Sequence, residues 1–547
     1  MTAKIDISPE QLAIVQGILK DHLPKGTLAW AFGSRVTWTA KPFSDLDIAL
    51  EGAAPLAPDV LIDLEEAFEA SDLPWKVDVI DLNTVSPEFR AIVERQRVPA
   101  DWEEVTVGEI FDLENGHAFK SAEFQSNGVP VIKIKNVKAG YFSEHEFDYV
   151  SETFLTSRPK KIAQRDDLLI SMSGNRHDGS PETWVGKVAR FSKDSPFLLN
   201  QRVGALRLKK DIAADPRFFS YLLSSRPYQE LFISIATSSG GQANLSPKQI
   251  FSADVIVPPL SEQIMISNTL GALDDKIELN RRMNETLEAM ARAVFRDWFV
   301  DFGPTRRKAA GLTDPAAILG GLLPDPEKAT PLAALFPDSF GANGLPEGWE
   351  ERPFVGFLDI IGGGTPKTKV PEYWGGEVPW FSVVDTPPKG GVFVWNTEKT
   401  ITERGVAESS VRMIDAGTTI ISARGTVGNI AMAARPMTFN QSCYALRAVE
   451  PVGNIFVYLA TERMVERLKA MAHGSVFSTI TRATFESLSF AWAGEDVFAA
   501  FERLIEPMFE LIKANGQENQ TLAATRDLLL PKLMSGDLRL TGAGGVA

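Results

Sequence analysis

Residues 259–302 read PLSEQIMISNTLGALDDKIELNRRMNETLEAMARAVFRDWFVDF, and the spacing of their apolar residues decides how the chain is organised. Ile266, Leu270, Leu273, Ile277, Asn280, Asn284, Leu287, Ala291 and Val294 stand four and three residues apart in alternation, the seam of a coiled coil. Shifted by 235 residues, the same positions hold Phe501, Ile505, Met508, Ile512, Asn515, Asn519, Leu522, Arg526 and Leu529. Both seams carry two consecutive asparagines at the same height, Asn280 with Asn284 and Asn515 with Asn519. A buried Asn costs stability but fixes register and partner, because its amide is satisfied only opposite another polar group. The two helices are therefore expected to pair with each other, with these four residues setting the register. A helix from about Pro259 to Phe299 would be a rod roughly 60 Å long at about 1.5 Å per residue.

Working outward, the chain repeats itself at a period near 240 residues, far too long for a solenoid, so a whole domain-plus-helix unit is present twice. Trp102 in DWEEVTVGEI returns as Trp349 in GWEERPFVGF, and LLISMSGN (168–175) returns as TIISARGT (419–426). Asn200-Gln201 through Leu206 returns as Asn440-Gln441 through Leu446, and Gly241 to Leu245 returns as Gly474 to Ile480. Short β-type runs such as VPVIKIKNV (129–137), WVGKVARF (184–191), VPWFSVV (378–384) and TTIISA (418–423), cut by Gly and Pro turns, mark the interior of each copy. The expected order is an N-terminal domain over 1–98, a first head over 99–258, a helix over 259–302, a Gly-, Pro- and Ala-rich connector over 303–345, a second head over 346–493 and a second helix over 494–540. The fold class this implies is multi-domain α/β: an α/β N-terminal domain, then two similar α+β heads separated by long paired helices.

With 547 residues, 44% hydrophobic and 23% charged, the chain reads as an ordinary multi-domain soluble protein, with no apolar run long enough to span a bilayer. No membrane partner is expected. The start lacks the pattern of a signal peptide and Cys443 is the single cysteine, which fits a reducing cytoplasm. The histidines His22, His117, His145, His177 and His473 are too scattered for a zinc cluster. The net charge of −15 is uneven: residues 1–100 hold 9 Lys/Arg against 16 Asp/Glu, whereas residues 158–210 hold 12 against 5. That second segment reads either as a phosphate-facing surface or as a solvated surface with a local basic excess.

From about residue 100 to the end, the chain resembles the specificity subunit of type I restriction-modification enzymes. The resemblance rests on Gly348-Trp349-Glu350, the Gly364-Thr365-Pro366 turn with Tyr373-Trp374 and Pro379-Trp380, and Ser422 to Asn429. It rests also on both Asn-Gln segments, Pro258 to Gln263, Phe295 to Phe302 and LFPDSF (335–340). It implies that each head reads one half of a split site in double-stranded DNA, that the helices set the gap and that they dock methyltransferase subunits, two per chain. Restriction and translocase subunits would be further partners, and no catalysis is implied in this part. The chain shows neither a P-loop nor an Asn/Asp-Pro-Pro-aromatic motif, so cleavage, translocation and methylation would come from those partners. Lys133, Lys135, Arg176, Lys187 and Arg202 in the first head, and Lys367, Lys369 and Arg424 in the second, are the candidate DNA contacts. The Asn-Gln pairs either reach bases or hold a loop, and their recurrence in both heads favours the loop.

The N-terminal stretch LAWAFGSRVTWTAKPFSDLDIAL (28–50) places Gly33-Ser34 ahead of Asp45-Leu46-Asp47 on an alternating strand, and Asp78 lies on a later strand in KVDVIDL. Adjacent carboxylates repel unless a metal sits between them. This pattern resembles the minimal nucleotidyltransferase fold. The resemblance implies magnesium held by Asp45, Asp47 and Asp78, nucleotide phosphates cradled by Gly33 and Ser34 with help from Arg35, and transfer of a nucleoside monophosphate to a protein or nucleic acid. Val36-Thr37-Trp38 departs from the Arg-Gly continuation common in that family, which leaves the acceptor open, and a degenerate docking domain is the other reading. The alternative for the whole chain is a nucleotidyltransferase that uses its DNA-reading half for targeting.

Overall fold

The computed structural model describes residues 5–24, 26–144, 146–239, 242–388, 390–471 and 479–540. His145, Gly241, His473 and the stretch from Gly474 to Ser478, which carry part of the repeat and of the histidine inventory, lie outside the described residues. The chain divides into two compact units, 1–274 with 524–547, and 275–523.

The first unit begins with a small α/β layer built from α1 (Pro9–His22), β1 (Leu28–Phe32), β2 (Leu46–Glu51), α2 (Pro58–Glu69), β3 (Val77–Asp81), α3 (Pro87–Gln96) and β4 (Val98–Pro99). Ser8 and Gln11 form a capping box at the start of α1, and Ser86 caps α3, in each case ahead of a proline in the first turn. The sheet order is β3-β2-β1-β4, with β2 and β3 parallel. Leu46, Ile48 and Leu50 of β2 pack with Val15, Leu19, Leu64 and Phe68 of the helices on one face, while Ala49 joins Trp30 and Val93 on the other. Both faces of this sheet are thus covered.

The rest of the first unit is an α+β head. Its main antiparallel sheet runs 111–115, 203–208, 168–171, 188–190, and a second sheet pairs Leu198–Leu199 in parallel with Val129–Ile132. In the second unit the main sheet runs 358–362, 443–448, 419–422, 430–433 through the same antiparallel pairings, with Phe393–Val394 added in parallel at the end. Thr438–Phe439 again pairs in parallel with Trp374–Phe381. The sequence repeat is therefore a repeat of strand order.

Two long helices, Leu260–Phe299 and Glu495–Ser535, contain 40 and 41 residues. Within the second unit Asn280 Nδ2 donates to Asn519 Oδ1 at 2.9 Å, and Asn515 Nδ2 donates to Asn284 Oδ1 at 2.9 Å. Pairing 280 with 519 and 284 with 515 makes the helices antiparallel there. Within the first unit, Arg526 pairs with Asp274 at 2.8 Å, and Leu533 shares a core with Ile266 and Leu270.

The segment 303–345 reads as an aperiodic connector but contains three short helices, Gly303–Ala309, Pro315–Ile318 and Pro326–Ala334. Asp314 and Asp325 cap the latter two, and Phe336 packs edge-on against Trp298 at 4.9 Å. Helices of one or two turns are too short to register as a period. Among the described residues no helix is long and apolar enough to cross a membrane.

Candidate functional sites

In the N-terminal layer the parallel register of β2 and β3 sets Asp47 directly opposite Asp78, and Asp45 lies two residues before Asp47. Gly33 follows β1 with φ +77°, and a Cβ there would lie 2.2 Å from Asp47 Oδ2. Only glycine permits this turn to close over that carboxylate. Burial, then Asp78, then Asp45 push the Asp47 carboxyl above its ordinary pKa. Asp45 is exposed, and Asp78 Oδ1 is 2.6 Å from the ammonium of Lys76. Among the described residues no three His, Cys, Asp or Glu side chains gather closely enough to hold a metal ion.

Ser34 accepts the backbone N–H of Thr39 at 2.9 Å, which stiffens the loop leading to Asp45. Arg35 is buried rather than turned toward a ligand: it donates to the carbonyl of Ser44 through Nε and Nη2 and to that of Asp6 through Nη1. Its donors tie the loop's two ends together, so a phosphate role for Arg35 would require these bonds to open. The same loop leaves Trp38 and Phe43 53% and 83% exposed beside Asp45.

In the first head, Lys133 lies 2.7 Å from Asp148 and over the Phe124 ring, and Lys135 is 3.7 Å from Glu146. Arg176 donates to the Ala236 carbonyl, and its Nε is buried without a partner. Lys187 is buried, its ammonium donates to the Glu182 carbonyl, and burial lowers its pKa to about 8. That placement turns Lys187 away from solvent phosphate. Arg202 is exposed with no ion pair among the described residues. In the second head Lys367, Lys369 and Arg424 are likewise exposed and unpaired there.

The two Asn-Gln segments have matching geometry. Asn200 N donates to Ile132 O at 3.0 Å and Asn440 N to Phe381 O at 2.8 Å. Asn200 Oδ1 accepts from Arg202 N at 3.4 Å and Asn440 Oδ1 from Ser442 N at 2.7 Å, each side chain folding onto its own turn. A Cβ on Gly116 would meet Asn200 O at 2.0 Å, and one on Gly363 would meet Asn440 O at 2.1 Å. Both asparagines are held as loop-formers; Gln201 and Gln441 remain exposed.

A further buried cluster centres on Arg539. Arg539 is 1% exposed on its side chain and makes two bonds each to Asp101 and Glu262 and one to Ala29 O of β1. It also lies over Trp30 and Trp102, whose Nε1 donates to Glu262. A lone arginine past the end of a heptad gives no sequence signal of such a role.

Residues 99–289 and 346–491 match the family described as type I restriction modification DNA specificity domain. Residues 15–98 match polymerase beta, nucleotidyltransferase. The type I restriction enzyme HindI specificity subunit of Haemophilus influenzae is 27% identical over 479 residues, 80% of this chain and 100% of that protein. A protein from the same organism described as probable protein adenylyltransferase MntA is 47% identical over 105 residues, 19% of this chain and 91% of its own length. A solved type I restriction-modification S subunit from M. genitalium is similar at 16% identity and TM-score 0.46, over 79% of this chain and 96% of that one.

Proposed function

Because the chain belongs to the type I restriction-modification DNA specificity family and carries a nucleotidyltransferase domain at residues 15–98, we propose that it is a two-headed DNA reader with an enzymatic arm. Each head reads one half of a bipartite site in double-stranded DNA, and the paired helices set the gap between halves. The observation that carries this reading is the duplicated strand order, 111–115, 203–208, 168–171, 188–190 against 358–362, 443–448, 419–422, 430–433. Methylome sequencing of a host with and without the chain tests it: a split methylated motif should appear and vanish with the chain. Inserting one heptad after Asn280 and one after Asn515 should lengthen the gap and leave both half-sites unchanged. Altered letters with an unchanged gap would overturn the ruler.

The helices dock methyltransferase subunits, two per chain, with restriction and translocase subunits joining that assembly. Leu279, Met283 and Met290 on the first helix and Leu511 on the second are exposed apolar residues suited to such contacts. Light scattering of the co-expressed subunits checks the stoichiometry.

The N-terminal domain is read as a magnesium-dependent nucleotidyltransferase that modifies a protein, favoured by its likeness to the adenylyltransferase described above and by the Asp47–Asp78 register. Hard carboxylate oxygens suit magnesium, which needs only one or two of them when phosphate oxygens complete its shell. Asp45, Asp47 and Asp78 would hold it, and it would stabilise charge developing on the phosphoryl oxygens. Gly33 and Ser34 shape the turn that faces the phosphates. Transfer of labelled nucleotide by the full chain, lost in Asp45→Asn with Asp47→Asn while DNA methylation continues, is the test.

A further inference from the structure

Lys76 stands at the edge of the carboxylate group, paired with Asp78. It immediately precedes β3, and its carbonyl accepts the N–H of Leu46 at 2.9 Å, which fixes its backbone beside the Asp45–Asp47 segment. Two residues on along the strand, Asp78 lies on the same face, and the Lys76 ammonium is 2.6 Å from its Oδ1. The ammonium is thus paired directly with one of the three aspartates proposed to hold the metal. Meanwhile Asp47 and Asp78 oppose each other in register but do not gather with a third ligand into a metal cage.

We propose that Lys76 is the resident counter-ion of this site, holding Asp78 out of the metal set until a metal-bound nucleotide displaces it; this rests on the nucleotidyl-transfer reading. Without a cation, Asp45, Asp47 and Asp78 repel one another, and the ammonium relieves that repulsion with one charge. The ion pair is 64% and 43% exposed on its two side chains, so it is weak and breaks readily against a divalent ion that brings phosphate oxygens. A bare divalent ion competes with Lys76 without that help. The lysine therefore discriminates against metal that arrives without nucleotide.

The test is a titration of the full-length chain with manganese chloride alone, followed by electron paramagnetic resonance of the free ion. Wild type, Lys76→Met and Lys76→Arg are compared, with Asp45→Asn plus Asp47→Asn as the blank and thermal melts as the check on folding. Lys76→Met is expected to bind the bare ion roughly three- to tenfold more tightly than wild type, the scale of one partly screened charge at contact distance. Lys76→Arg should stay near wild type. Equal or weaker binding by Lys76→Met would overturn the counter-ion role while leaving the carboxylate site standing. Binding no greater than the blank in every variant would likewise overturn the counter-ion role, because removing the lysine would then have freed no site for the bare ion; the nucleotidyl-transfer reading falls separately, if the full chain transfers no labelled nucleotide.

Discussion

The two heads are built on one strand order, and they differ mainly in what their surroundings ask of them. Trp102 and Trp349 occupy equivalent positions in the repeat. Trp349 lies in an aromatic cluster with Phe299, Phe302 and Phe336, whereas Trp102 donates to Glu262 beside Arg539 and Asp101. The first head also meets an extra domain, through the Ala29 carbonyl and Gln16, which donates to Trp102 O. A second difference lies where each long helix reaches a helix of its head. Gln263 accepts the N–H of Asp215, next to the helix Pro216–Ser224, and Glu502 accepts that of Ile455 in the helix Asn454–Met471. The amide accepts from the N-cap residue of one helix and the carboxyl from within the first turn of the other. Shared features are scaffold, and departures from them mark local demands.

The largest expected break in this comparison is Arg539→Met. It would leave Glu262 and Asp101 facing each other with no cation, Glu262 at 4% side-chain exposure. Loss of one partner from a buried charge network costs about 3–5 kcal/mol. Calorimetry should show the transition of the first unit falling while that of the second holds. Next come Gly116→Ala and Gly363→Ala, whose new Cβ atoms would lie 2.0 and 2.1 Å from backbone carbonyl oxygens. Each should cost about 3 kcal/mol, since backbone cannot rotate away as a side chain can. Urea unfolding that found one variant benign and the other severe would show that the heads do not share this turn.

Glu502 should give the second head a pH sensitivity between about 4.5 and about 7. Burial, with Glu506 nearby, raises its carboxyl from 4.5 to about 7, against stabilising bonds from Ile455 and Phe456, and its Oε2 is buried without a partner. Arg503, Glu506, Glu510 and Lys513 line the same cavity. Between these two values the native state keeps a proton that the unfolded chain releases. Its stability is therefore fully present below about 4.5 and falls as pH rises through about 7. Glu502→Gln should stabilise the chain at pH 8 by an amount on the order of 2 kcal/mol and do little at pH 5. Gln263→Glu should transfer the sensitivity to the first head; a pH-independent Glu502→Gln effect would count against the carboxyl as its source.

Much of this architecture is legible in the sequence because it is periodic. The asparagine pairs announce themselves by equal height in two heptad seams, and the structure joins Asn280 to Asn519 and Asn284 to Asn515. Gly33 ahead of Asp45-x-Asp47 is likewise a pattern of spacing, whereas the parallel register that sets Asp47 against Asp78 depends on how two separate strands pair and is seen only in the structure. Arg539 and Glu502 escape because their partners lie far along the chain, at separations of 277 and 47 residues. Composition misleads in 158–210, where Lys161, Arg165, Arg190, Lys193 and Arg207 form ion pairs with carboxylates, some of them outside the segment. A count of charges cannot tell a phosphate-facing lysine from one already satisfied.

That distinction yields the smallest predicted effect. Arg202 of the first head and Arg424 of the second are exposed with no ion pair among the described residues, while Lys187 is buried on a carbonyl. A free arginine carries condensed counterions off DNA when it meets a phosphate, whereas a buried lysine has no such ions to exchange. In the assembled methyltransferase complex, Arg202→Ala and Arg424→Ala should each weaken DNA binding at low salt and reduce the slope of log affinity against log salt by about 1. Lys187→Met should leave that slope unchanged, whatever it does to folding. Neither arginine variant should alter the methylated motif, because phosphate contacts position the protein without reading letters. A changed half-site letter in Arg202→Ala would promote that residue to a base contact. An unchanged salt slope in both arginine variants would move the DNA surface elsewhere on the heads.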